Sequence, residues 1–338
     1  MFSTNTKNKI LNTLKTRTAH FGSPINSFNA DCILFDIDGV LVNINSSYNL
    51  AIKKAVNFVL KNITGKANLN GVVTDEIILR LRQTGGFNND VDATYAIVLA
   101  LLTKGGMDIQ ESRRFLSIVA KNADEGGIVS VESFLSSSVS HSEVKKIKQL
   151  LAYPAPVGKS ILATVFDELF YGPNLFKKRH RLKPKHFVGR PLINNERVVA
   201  TQGTIDFLSD RYNGKLAVIS GRSRLAARYS LGPIFSNFSS KASVFLEDEK
   251  RTYAKPNPYA LNKAMKILNA RTAIYAGDSV EDLLMVKKVE EQGRFKIAFV
   301  GIYGCSRRPM EVIKMFEEKH VDTVLKTVNQ LPKILNKV

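Results

Sequence analysis

Carboxylates, a serine and a lysine stand at the ends of apolar runs in this chain, and that placement is what could do chemistry. Asp36 and Asp38 follow Cys32-Ile33-Leu34-Phe35, Ser220-Gly221 closes Leu216-Ala217-Val218-Ile219, and Gly277-Asp278 closes the run at 272–276. Lys255 precedes Pro256 ahead of a helical stretch, and Asp282 lies four residues beyond Asp278. Each type has a task in phosphoryl transfer. A carboxylate can attack phosphorus and divide one hard step into two. A hard dication on oxygen ligands cancels the charge of an anion approaching an anionic phosphate. Lysine adds a compact positive charge. A serine hydroxyl and the amide after it donate hydrogen bonds, helped by a helix N-terminus. A second carboxylate can protonate the leaving oxygen and later take a proton from water. One Asp-x-Asp-Gly alone would say little, because calcium loops share it.

These residues need a scaffold that brings them together. The run ending at Asp36 is short and wholly apolar, which reads as a buried parallel strand opening into a loop at Gly39. From about residue 190, strands at 216–220, 242–246, 272–276 and 296–300 alternate with helical stretches at 201–211, 224–229, 258–268 and 279–289. That alternation predicts an α/β, Rossmann-like parallel sheet covered on both faces, with ligands beyond the carboxyl ends of its strands.

Between the first strand and the rest the texture is helical. Helices are expected at 48–60, 75–81, 91–102, 109–119, 131–150 and 160–170, with Thr74 and Asn89 as N-caps and Gly-Gly pairs as punctuation. The domains expected are a basic extension at 1–30, a catalytic core at 31–46 and 190–338, and an inserted all-helical cap with a basic linker at 47–189.

With the motifs in place, the chain resembles the haloacid dehalogenase-like hydrolase superfamily. The resemblance rests on four elements in that superfamily's order: Asp36-Ile37-Asp38-Gly39-Val40, Ser220, Lys255-Pro256, and Gly277-Asp278-Ser279-Val280-Glu281-Asp282. It covers the sheet domain, and the helical insertion between the first and second motifs is similar to the caps of the phosphoglycolate phosphatase and β-phosphoglucomutase type. The resemblance implies Asp36 as nucleophile and metal ligand, with Asp38 as general acid/base whose main-chain carbonyl also binds Mg²⁺. It implies that Ser220, Gly221 and Lys255 hold phosphate, that Asp278 binds the metal, and that Asp282 supports it directly or through water. The dehalogenases that named the superfamily lack an aspartate two positions after the nucleophile, so Asp38 points to phosphate chemistry.

The cap would choose the substrate. Arg82, Gln83, Phe87, Asn88, Asn89 and Asp90 flank a Gly85-Gly86 turn that frees the backbone to approach a ligand. The same letters also read as a helix C-cap at Gly85 followed by an N-cap at Asn89. Ser46 and Ser47 sit in the hinge after the first motif.

Composition bounds the partners. The chain has 338 residues, 44% hydrophobic and 23% charged, with a net charge of +19. Such a surplus draws anions, whether small phosphorylated substrates or nucleic acid, and equally serves solubility. The densest run, 177–186, is expected as a solvated inter-domain connection. No apolar run is long enough to cross a bilayer. Two cysteines, Cys32 and Cys305, argue against a disulfide framework or zinc site and suit the reducing cytoplasm. The function expected is Mg²⁺-dependent hydrolysis of a small phosphate monoester through an aspartyl phosphate. The alternatives are a phosphomutase, a nucleic-acid-end phosphatase, and a binding protein without turnover.

Overall fold

The computed structural model describes residues 19–20, 25, 28–65, 70–87, 89–106 and 108–336, so most of the basic N-terminal segment lies outside the described residues. The strands are β1 (Ala19–His20), β2 (Cys32–Phe35), β3 (Val42–Asn43), β4 (Arg197–Val198), β5 (Leu216–Ser220), β6 (Val244–Phe245), β7 (Thr272–Gly277), β8 (Lys296–Ile302) and β9 (Thr323–Leu325). Seven of them make one sheet in the order β1-β9-β8-β7-β2-β5-β6. All its pairings are parallel except that of β1 with β9 at the edge.

β2 runs down the middle, between β5 and β7. Ile33 and Phe35 pack into the cluster on one face of the sheet, and Cys32 and Leu34 into the cluster on the other. Burial on both faces is why the strand reads as an unbroken apolar run. After β2 the chain adds β5 and β6 on one side, then β7, β8 and β9 on the other. The order therefore reverses beside β2, and a crevice must open at the carboxyl ends of β2 and β7. Those ends carry Asp36 and Asp278.

The cap holds helices α1 (Tyr48–Thr64), α2 (Asp75–Gln83), α3 (Asp90–Lys104), α4 (Ile109–Asn122), α5 (Ile128–Leu135), α6 (His141–Leu151) and α7 (Ile161–His180). They share a hydrophobic cluster of their own, separate from those on the sheet. The expected caps form: Thr74 accepts from Ile77 N–H at 3.3 Å and Asn89 from Val91 N–H at 2.9 Å. The chain leaves the core after β3 and returns through β4, and these two strands pair antiparallel as a short ribbon. The remaining helices, α8 (Gln202–Arg211), α9 (Arg224–Leu231), α10 (Tyr259–Ile267), α11 (Val280–Glu291), α12 (Pro309–Glu318) and α13 (Leu331–Leu335), belong to the core.

Three expectations change. The helix expected at 131–150 is α5 and α6 joined by a π-helical turn over Ser136–Ser140. There the hydroxyls of Ser137 and Ser138 both donate to the Phe134 carbonyl, competing with the helical ladder. The helix expected to stop at 170 continues to His180, broken at Gly172 (φ 63°) ahead of Pro173. The basic run is not a free connection. Its first residues form the last turn of α7, where cations suit the helix dipole. Its end is gathered onto buried Glu168, whose carboxylate accepts the N–H groups of Lys185, His186 and Phe187 at 2.7–2.8 Å.

Candidate active site

Asp36 leaves the end of β2 with its N–H bonded to the Ala276 carbonyl of β7 at 2.9 Å, so the sheet itself fixes where its side chain emerges. The loop then doubles back on Ile37, whose carbonyl accepts from Leu41 and Val42 at 2.9 Å. Gly39 sits in this turn at φ +77°, and a Cβ there would lie 1.7 Å from Asp278 Oδ2. Only glycine lets the loop and the end of β7 come this close.

Lys255 Nζ stands 3.0 Å from Asp36 Oδ1 and 2.7 Å from Asp282 Oδ1. Asp282 also accepts from Tyr275 Oη and Ser279 Oγ, each at 2.7 Å. It is wholly buried, and its two oxygens already serve three protein donors. Among the described residues, oxygens of Asp36, Asp278 and Asp282 lie within 4.8 Å of one another. Burial pushes the Asp36 carboxyl up to about 7; Lys255 opposes the shift, while Asp282 and Asp38 add to it. Asp278 is held well above the usual carboxylate range by burial and by the charges of Asp36, Asp282 and Asp38. One lysine does not neutralise three such neighbours. Oxygen donors short of positive charge are what a hard dication requires.

The other sequence-derived residues divide. Ser220 is fully buried at the end of β5, and its hydroxyl accepts the Arg222 N–H at 3.2 Å. Gly221, one residue on, lines the cavity between core and cap, which measures about 960 Å³. Asp38 lines it too, but its Oδ1 accepts a hydrogen bond from Arg222 Nε instead of joining the carboxylate cluster. On the cap side, Arg82 lines the cavity while donating to Asp90 (2.7 Å) and Asn49 (2.9 Å). Burial alone would favour its discharge, yet Asp90, Asp278 and Asp38 keep it protonated. Phe87 reaches the cavity from the cap's own core, where it is 2% exposed. Asn89 also lines the cavity besides capping α3, and Asn88 lies outside the described residues.

Sequence reasoning missed the groups that join cap to core. Arg222 is the largest fully buried side chain, and Glu196 is its partner at 2.8 Å. The signal was a charged residue directly after the Ser220-Gly221 strand end. Tyr171 of α7 bonds Ser223 at 2.9 Å and Glu247 at 3.1 Å. Arg307 and Arg308 reach Asp75 and Glu76 of α2. His180, inside the run expected as a solvated connection, lies with its Nε2 2.7 Å from Asp167 Oδ2.

Among the described residues, no helix is long and apolar enough to cross a membrane. No curated protein matches the sequence. Of solved structures, an X-ray structure from the Northeast Structural Genomics Consortium is similar at TM-score 0.58 and 16% identity, covering 90% of this chain and 98% of its own. The phosphatase Tt82 from Thermococcus thioreducens is similar at TM-score 0.53 and 22% identity, covering 80% of this chain and 92% of its own. These are likenesses of fold. The model of the haloacid dehalogenase-like hydrolase family matches residues 30–290, most of the chain and all four motifs, and the chain belongs to that family.

Proposed function

We propose that this hydrolase is a phosphatase that splits a small phosphate monoester through an aspartyl phosphate on Asp36. One observation carries the reading. A largely buried carboxylate cluster and Lys255 meet at the crevice beside β2, with Asp38 two residues from Asp36 and facing the same cavity. Asp36 attacks phosphorus, and the ester oxygen leaves with a proton from Asp38. Water then attacks the aspartyl phosphate, gives its proton to Asp38, and releases inorganic phosphate. Lys255 offsets the charge that gathers on Asp36 and the phosphoryl oxygens. Gly221 lines the cavity wall, and the Ser220 hydroxyl holds that turn by accepting the Arg222 N–H. Asp36, Asp278 and the Asp38 carbonyl would hold Mg²⁺, and Asp282 would steady the set while it anchors Lys255. When bound, the ion supplies the positive charge that lets an anion approach an anionic ester.

The cavity supports a small substrate rather than a nucleic-acid end, despite the chain's +19 charge. Its wall lies between core and cap and mixes carboxylates such as Asp90 and Asp92 with the arginines they pair, Arg82 and Arg251, so it offers no continuous basic track for a polyanion. Both cysteines are free, which suits the reducing cytoplasm.

The test is release of inorganic phosphate from sugar phosphates, phosphoglycolate and aryl phosphates with and without Mg²⁺. Metal-dependent release supports the reading. Substrate isomerised without free phosphate would make the protein a phosphomutase, and no reaction with any ester would overturn the proposal.

A further inference from the structure

A guanidinium in the middle of a protein needs a reason. The Arg222 side chain has no exposure to water at all. Its Nε donates to Asp38 Oδ1. Its Nη1 donates to Glu196 Oε2 at 2.8 Å and to Ser230 Oγ at 2.9 Å, and its Nη2 to Glu196 Oε1 at 3.0 Å. The guanidinium carbon lies over the Tyr48 ring, 5.2 Å from its centroid. Glu196 in turn accepts from Ser47 Oγ at 2.8 Å.

The positions of these partners are informative. Ser47 and Tyr48 lie where the chain enters the cap, and Glu196 lies where it leaves, one residue before β4. Asp38 is in the catalytic loop. One rigid fork therefore holds the acid/base residue, the outgoing hinge and the returning hinge together. A planar guanidinium bonds a carboxylate in fixed directions, which a lysine in its place would not do. With Oδ1 held by Nε, the proton to be exchanged belongs on Oδ2 of Asp38.

We propose that Arg222 is the positioning residue that aims Asp38 at the leaving oxygen and couples that aim to the hinge of the cap. This rests on the phosphatase reading. It goes beyond that reading by giving a task to a residue outside the four motifs and by joining cap position to proton transfer.

The alternative is a purely structural ion pair, and leaving groups separate the two. Phenyl and p-nitrophenyl phosphate are close in size, but phenolate leaves poorly without a proton and nitrophenolate leaves well. In the full chain, Arg222→Met should lower kcat/KM, which ends at expulsion of the leaving group and leaves out the dephosphorylation common to both esters, by about 100-fold for phenyl phosphate and by less than about tenfold for p-nitrophenyl phosphate. Arg222→Lys, which keeps the charge but not the fork, should recover little of the phenyl phosphate rate. Glu196→Gln keeps the guanidinium and loosens the hinge tie, so it should show the same selectivity more weakly; it also serves if Arg222→Met does not fold. Equal losses on both esters, or no loss on either, would overturn the role while wild-type turnover left the phosphatase reading standing. Wild-type protein inert on both esters, with Asp36→Asn no different, would overturn the reading itself and this role with it.

Discussion

At the carboxyl end of the sheet, Lys255, Asp36 and Asp282 are each less than a tenth exposed and grip one another at 2.7–3.0 Å. Along the seam with the cap, Arg308 and Glu76 meet at 2.9 Å while each stays more than a third exposed. The two regions spend charge differently. Buried ions are held only by good geometry and full partnership, so the core site is built for one arrangement. Exposed pairs are weak and screened, so this rim pair adds little to holding the cap on the core. Two contacts between cap and core are buried instead: Arg222 of the core, which stands at the hinge, and the Tyr171–Ser223 hydrogen bond.

The largest effect should come from disturbing the buried set. Gly39→Ala places a methyl group on Asp278 at a positive φ, so it should cut kcat by 100-fold or more and lower stability by about 2 kcal/mol. Thermal melting and phosphate release check this together. A variant with near-wild-type activity would mean that the loop and the end of β7 do not need their close approach.

A middle effect should appear with pH. The Asp36 carboxyl titrates near 4 in an unfolded chain and is raised to about 7 here. The folded protein thus keeps a proton that the unfolded chain gives up, and its stability falls as pH rises through that window. Metal-free protein should melt lower at about pH 8 than at about pH 5.5, and Mg²⁺, replacing the proton, should raise Tm by several degrees at the higher pH and little at the lower. Equal gains at both pH values would contradict a cation that competes with protons at Asp36 and Asp278.

The smallest effect belongs to the seam. Arg308→Ala should leave Tm almost unmoved and raise KM by less than about threefold, a difference that high salt should erase. A large loss of kcat would mean that this rim pair belongs to the chemistry.

The core could be read from sequence because its rules are local. A strand buried on both faces must be continuously apolar, and candidate ligand-binding residues stand where such strands end; Cys32–Phe35 and Asp36 meet both conditions. Helix caps are local too, so Thr74 and Asn89 were legible. Other features needed distant partners. Arg222 reads as surface until its carboxylates arrive from residues 38 and 196. The basic run reads as solvated until Glu168 collects its N–H groups. The hinge ribbon of β3 and β4 is too short to carry any periodicity. Which cap side chains face the cavity is a matter of packing, so Arg82 and Asn89 could be nominated but not oriented.

With Asp36 as the nucleophile, a covalent aspartyl phosphate forms at that residue and can be caught directly. Protein turning over an ester with Mg²⁺ would be quenched with borohydride, which reduces an acyl phosphate to an alcohol, and its peptides read by mass spectrometry. Reduction at Asp36, lost in Asp36→Asn, is the predicted result. An unmodified Asp36 during steady phosphate release, or reduction at another carboxylate, would contradict it.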